Sequence, residues 1–122
     1  MGNKMTAGVS HFSGVWEIEA PVRDGFSGDL GLVLKSRAKH AAISSRLKKP
    51  FHFHDKPLVV QYEVLLQEGQ ECGGSYLKLL SVDPSTSDLR NFQDKTPYSI
   101  MFGPDKCGND HKVWNSRCNL YL

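Results

Sequence analysis

The strongest pattern in the chain lies between residues 58 and 67. Leu58, Val60, Tyr62, Val64 and Leu66 fall on one side, and Val59, Gln61, Glu63, Leu65 and Gln67 on the other. A period of two predicts a strand with one buried face. Glu68-Gly69 is a turn signal, and a second strand is expected over 75–81. Shorter strand candidates are 15–19, 32–35, 41–44 and 98–102. Between them lie two stretches rich in turn residues, Asp24-Gly25-Phe26-Ser27-Gly28-Asp29 and Asp83-Pro84-Ser85-Thr86-Ser87-Asp88,. No segment sustains a helical period and no unit repeats. Short strands at this spacing predict an all-β sandwich.

Composition narrows the picture by exclusion. A chain of 122 residues holds one domain at most,. Its net charge of +2 comes from 15 basic and 13 acidic residues. The lysines and arginines are scattered and form no stripe with aromatics, so a nucleic-acid partner is not expected. No apolar run approaches the roughly 18 residues of a membrane span, so no membrane segment is expected in this chain. The start, Met1-Gly2-Asn3-Lys4-Met5-Thr6, has no apolar stretch of the secretory kind,. It fits the short acylation pattern at Gly2 and Thr6, which is common by chance. Cys72, Cys107 and Cys118 permit one disulfide and leave one thiol over,. No Cys-x-x-Cys pair is present, so neither a zinc ribbon nor a thioredoxin-type site is expected. The residues alone fix neither the pairing nor the redox compartment.

Chemistry is best sought on the second strand. In Ser75-Tyr76-Leu77-Lys78-Leu79-Leu80, Tyr76 and Lys78 share one face and Leu77 and Leu79 the other,. An aromatic ring beside an ammonium group suits a sugar, because the ring packs on the C–H face of a pyranose and lysine donates to its hydroxyls. The same pattern also fits a plain solvated face. Tyr98 and Met101 lie on opposite faces of a regular strand, so they share a site only where the chain bends between them; Tyr98 alone reads as core. His52 and His54 share a face but lack a third metal ligand nearby. Asp83-x-Ser85-x-Ser87 reads as a turn rather than a metal motif. Neither a nucleophile elbow, nor HExxH, nor a phosphate-binding glycine loop occurs, so the chain is not read as an enzyme.

Three longer segments are specific. Lys56-Pro57-Leu58-Val59-Val60-Gln61-Tyr62-Glu63-Val64, Glu71-Cys72-Gly73-Gly74-Ser75-Tyr76-Leu77-Lys78-Leu79-Leu80 and Asp94-Lys95-Thr96-Pro97-Tyr98-Ser99-Ile100-Met101-Phe102-Gly103-Pro104-Asp105-Lys106-Cys107-Gly108 resemble, in order, signatures of the calnexin and calreticulin family. Upstream, Gly31-Leu32-Val33-Leu34-Lys35-Ser36-Arg37-Ala38-Lys39-His40 looks closer to the calnexin and calmegin branch than to calreticulin. The resemblance divides the chain into a divergent start (1–14), a partial lectin domain (15–112) and a divergent tail (113–122).

What the resemblance implies is a concanavalin-like (jelly-roll) β-sandwich, incomplete here. It implies a calcium-dependent chaperone of the endoplasmic reticulum that binds monoglucosylated N-linked glycoproteins and unfolded polypeptides. The family's sugar-binding residues match Tyr76, Lys78, Tyr98 and Met101. Its disulfide joins the cysteines matching Cys72 and Cys107, which leaves Cys118 as the spare. One ligand of its structural calcium matches Asp29; Leu30 replaces a charged residue whose backbone oxygen is what the ion uses. After Lys112 the sequence departs from the family pattern. The downstream glutamates that grip glucose, the remaining calcium ligands, the arm and any membrane anchor are therefore expected to lie outside it. Half a sandwich would leave sheet edges and apolar faces uncovered. The rival reading is an interaction fragment without lectin activity.

Overall fold

The computed structural model describes residues 14–23, 25–54 and 56–117. Cys118, the Gly2 acylation pattern and the rest of the two ends lie outside the described residues. The fold class is all-β: among the described residues every strand pairing is antiparallel, and the helical elements are two short 3-10 turns, Pro84–Thr86 and Leu89–Asn91. The chain forms two compact units, one from Met1–Arg46 with Asp83–Thr96, the other from Leu47–Val82 with Pro97–Leu122.

In the first unit, β1 (Trp16–Glu19) pairs with β2 (Gly31–Leu34). Both coincide closely with the expected strands. Lys35, just past β2, closes the ribbon: its amide donates to Val15 O at 2.8 Å, and its ammonium group meets both carboxylate oxygens of Glu19. The expected turn before β2 forms at Phe26–Asp29, where the Asp29 amide donates to Phe26 O and Gly28 takes a φ of 82°. That left-handed value at the third turn position is what glycine supplies without strain. The 41–44 candidate carries only an isolated bridge at Ser44. The 83–88 stretch folds as turns. Asp88 caps the second 3-10 turn, accepting from the Arg90 amide and guanidinium and from Asn91.

The second unit is built around β5 (Ile100–Cys107). On one side it pairs with β3 (Cys72–Gly74) and β4 (Leu77–Leu79), on the other with β6 (Asp110–Arg117). Gly108-Asn109 joins β5 to β6, with Gly108 at φ 60° in the first position of a two-residue hairpin loop,. β3 and β4 keep one register against β5: Gly74 faces Asp105 and Leu77 faces Phe102. They are one strand interrupted at Ser75 and Tyr76, opposite Pro104 and Gly103. The expected strand over 98–102 therefore begins later, at Ile100, and runs on through Gly103-Pro104.

The segment 58–67, expected as a strand, corrects the sequence reading. It carries the clearest alternation and forms no strand. A strand is defined by a neighbour that takes its backbone donors and acceptors, and among the described residues it pairs with no such neighbour. The two sides of the alternation still differ: Val59 is 78% exposed, whereas Tyr62 and Val64 are 38% and 40% exposed. Among the described residues no apolar side chain is fully buried, and the best-covered stretch is β4 with β5. The turn expected after 58–66 does form, with the Gly69 amide on Leu66 O at 3.1 Å and Gly69 at φ 77°.

Candidate functional site

Side chains alternate across a sheet, so the register decides which of them meet. On β3 and β4 the even residues Cys72, Gly74, Tyr76 and Lys78 share a face. Their partners on β5 are Cys107, Asp105, Gly103 and Met101. Three of the four expected sugar-site residues, both expected disulfide cysteines and Asp105 therefore lie along one face of one sheet.

Lys78 stands directly opposite Met101. Tyr98 precedes β5, and the chain bends at Ser99 before the strand begins. Ser99 is anchored there, its amide donating to Leu79 O at 2.8 Å and its hydroxyl bonding to that of Ser81. The bend brings the Tyr98 ring to Lys78, whose Nζ lies 5.3 Å from the ring centroid. A cation over a ring face at an exposed site contributes about 0.5–1 kcal/mol. The condition set by parity, a bend between Tyr98 and Met101, is met, and both residues approach Lys78.

Tyr76 is held differently. The outer half of its ring occupies the space where a side chain on Gly74 would stand. Folded back in this way, its hydroxyl reaches the carboxylate of Asp105, the cross-strand partner of Gly74. Partial withdrawal from water, then the hydrogen bond to Asp105 and that residue's negative charge, push the Tyr76 phenol up to about 12,. At neutral pH it is a donor to Asp105 whose oxygen still accepts. The face thus offers an ammonium donor, a phenol, a carboxylate acceptor, a thioether and two rings, a set suited to a polyhydroxylated ligand with apolar C–H faces.

Sequence reasoning missed Asp105, although its parity with Met101 and Cys107 was the available signal. It also missed Gly74, whose need appears only once the Tyr76 ring is placed.

At the end of this face Cys72 and Cys107 are direct cross-strand partners with Sγ atoms 2.6 Å apart, both exposed thiols. Hydrogen bonding with Cys107 first, then partial burial and the nearby charge, raises the Cys72 thiol above its ordinary value. Asp29 is exposed in the turn before β2, in the first unit. Among the described residues no three His, Cys, Asp or Glu side chains gather as a metal site, and His52 and His54 are both exposed. No helix among the described residues is long and apolar enough to cross a membrane.

Comparison with known proteins places the chain. The Calreticulin family profile matches residues 2–116. Calmegin of Bos taurus is 61% identical over 107 residues, 88% of this chain and 18% of the relative. Calnexin of Caenorhabditis elegans is 53% identical over 105 residues, 86% of this chain and 17% of the relative. A calnexin homologue of Aspergillus fumigatus is 48% identical over 103 residues, 84% of this chain and 18% of the relative. The chain thus spans under a fifth of the length of these curated relatives. With a profile match over nearly its whole length and three such relatives, the chain belongs to the calreticulin family, a family of chaperones and not of enzymes.

Proposed function

We propose that this chain supplies one wall of the glycan site of a lectin chaperone of the endoplasmic reticulum, whose ligands are monoglucosylated N-linked glycoproteins and unfolded polypeptides. The observation that carries the reading is the meeting of Tyr76, Lys78, Tyr98 and Met101 around one sheet face, in a chain of this family. Lys78 donates to sugar hydroxyls, the Met101 thioether and the Tyr98 ring pack on C–H surface, and Tyr76 and Asp105 complete a donor and acceptor pair. The sheet belongs to a concanavalin-like sandwich whose other wall is built, in the family, from acidic residues downstream of the matched region. Each missing charge-assisted hydrogen bond forfeits roughly 1.5–3 kcal/mol. Two of them weaken binding by at least about a hundredfold.

The isolated chain is therefore expected to show no glycan binding at micromolar concentration. Extension by the segment that follows the matched region in calmegin is expected to restore it, and Tyr76→Ala or Lys78→Ala to abolish it again. Micromolar binding by the isolated chain, or an extended chain that tolerates both substitutions, would overturn the assignment.

Calcium in this reading is a family property to which the chain contributes Asp29. One carboxylate does not make a site for an ion that takes about six to eight oxygens. Titration calorimetry of the isolated chain is expected to show weak binding or none, and a sub-micromolar affinity would contradict this. The alternative, a protein-interaction segment without lectin activity, is favoured by one observation: no apolar side chain is fully buried among the described residues. A glycan array on the extended chain separates the two.

A further inference from the structure

Pro104 sits inside β5, in register with Val113 of β6 on one side and facing the interruption at Ser75 on the other, where a residue normally donates to a neighbour,. The Ser75 amide donates to Pro104 O at 3.0 Å. In an antiparallel ladder such a pair exchanges two hydrogen bonds, the second running from the partner's N–H back to the first residue's carbonyl. Proline has no N–H, so Ser75 O lacks its ladder donor at the residue that leads into Tyr76.

A side chain from outside the ladder fills the place. The Tyr62 hydroxyl lies 3.2 Å from Ser75 O and 3.4 Å from Phe102 O. Its ring is braced edge-on against Phe102, centroids 5.3 Å apart at 65°. Room for the hydroxyl comes from Gly103: a Cβ there would stand 2.6 Å from Tyr62 Oη and 2.9 Å from Tyr76 Cα, and would run into Ser75 O. Partial burial raises the Tyr62 phenol above its ordinary value, so it keeps its proton to donate.

We propose that Tyr62 is a positioning residue for the Tyr76 face: its hydroxyl substitutes for the backbone donor that Pro104 lacks, clamps the Ser75–Tyr76 junction, and so fixes the Tyr76 ring over Gly74 and against Asp105. The ligand of that face rests on the glycan reading above; the clamp itself does not.

The test is a titration of the Tyr76 ring resonance by NMR in four forms of the chain: parent, Tyr62→Phe, Pro104→Ala and the double variant. Phenylalanine keeps the ring against Phe102, so Tyr62→Phe removes only the hydroxyl. In the parent the Tyr76 midpoint is expected near 12. In Tyr62→Phe it is expected to fall toward the ordinary 10.0, leaving most of the Tyr76 phenol ionised at the upper end of the titration. Pro104→Ala returns a backbone N–H opposite Ser75 O, so the double variant is expected to recover most of the parent's value. A general structural role for Tyr62 predicts no such rescue. An unchanged midpoint in Tyr62→Phe, or a double variant no better than Tyr62→Phe, would overturn the proposal. In parallel, a glucose-terminated trisaccharide at millimolar concentration is expected to bind Tyr62→Phe about three- to tenfold more weakly than the parent, with recovery in the double variant. If the midpoints follow the expected order while the trisaccharide moves no resonance of Tyr76, Lys78 or Met101 in any form, the clamp stands and the glycan reading falls.

Discussion

The segment 58–66 and the interrupted strand β3–β4 invert what their sequences suggest. The first alternates cleanly over its length and forms no ladder; the second contains Gly73-Gly74, is interrupted at Ser75 and Tyr76 opposite a proline, and keeps one register from Cys72 to Leu79. Alternation records which side of a segment avoids water, and the lower exposure of Tyr62 and Val64 beside Val59 keeps that record. Whether a segment becomes a strand depends on a neighbour to take its backbone hydrogen bonds. β3–β4 has β5 as that neighbour, and 58–66 meets the same sheet through the Tyr62 side chain, with its hydroxyl at Ser75 O and its ring on Phe102.

The largest expected effect sharpens the contrast at the far end of the ladder. Oxidation of Cys72 and Cys107 should stabilise the chain by about 4 kcal/mol in the chain-entropy model. Amide exchange should slow along β3 and β5 and not along 58–66. Peptide mapping without reduction checks the pairing; a Cys107–Cys118 bridge, or three free thiols in oxidised material, would contradict it.

Next in size is Gly103→Ala. The added methyl meets the Ser75 carbonyl and the Tyr62 hydroxyl, so it breaks the hydrogen bond that ties Tyr62 to the ladder. Overpacking against backbone costs about 1–3 kcal/mol, measurable by chemical denaturation. A variant as stable as the parent would show that the two regions are not joined there.

A smaller effect concerns pH. The Tyr76 phenol is raised in the folded chain, so the folded state favours its neutral form. The resulting stability is fully present below the ordinary value of 10.0 and is lost as pH rises through about 12,. Tyr76→Phe should flatten that alkaline limb and leave the neutral region little changed. A limb that survives the substitution would place its origin in another group.

Much of this was legible in the residues, and unevenly. β1 and β2 lie where short apolar runs ended in turn residues, because a two-strand ribbon needs only local signals. Tyr76 and Lys78 could be assigned to one face by parity alone, and the sheet keeps that parity. The extension of β5 through Pro104 was not legible: a proline ordinarily ends a strand, and its tolerance here depends on Tyr62, distant in sequence. β6 was hidden for a related reason, since Gly108-Asn109 is a short turn signal whose meaning depends on the pairing that follows. Tyr98, which reads as core from the residues alone, is turned toward Lys78 by the anchored bend at Ser99.

The central claim is that the laddered face, and not the segment beside it, meets the sugar. The most direct measurement is a map of NMR shifts as a glucose-terminated trisaccharide is added at millimolar concentration. The account predicts shifts at Tyr76, Lys78, Tyr98, Met101 and Asp105, none at Val59 or Leu65, and loss of the whole response in Lys78→Ala. Shifts centred on 58–66, or a response that survives Lys78→Ala, would contradict it.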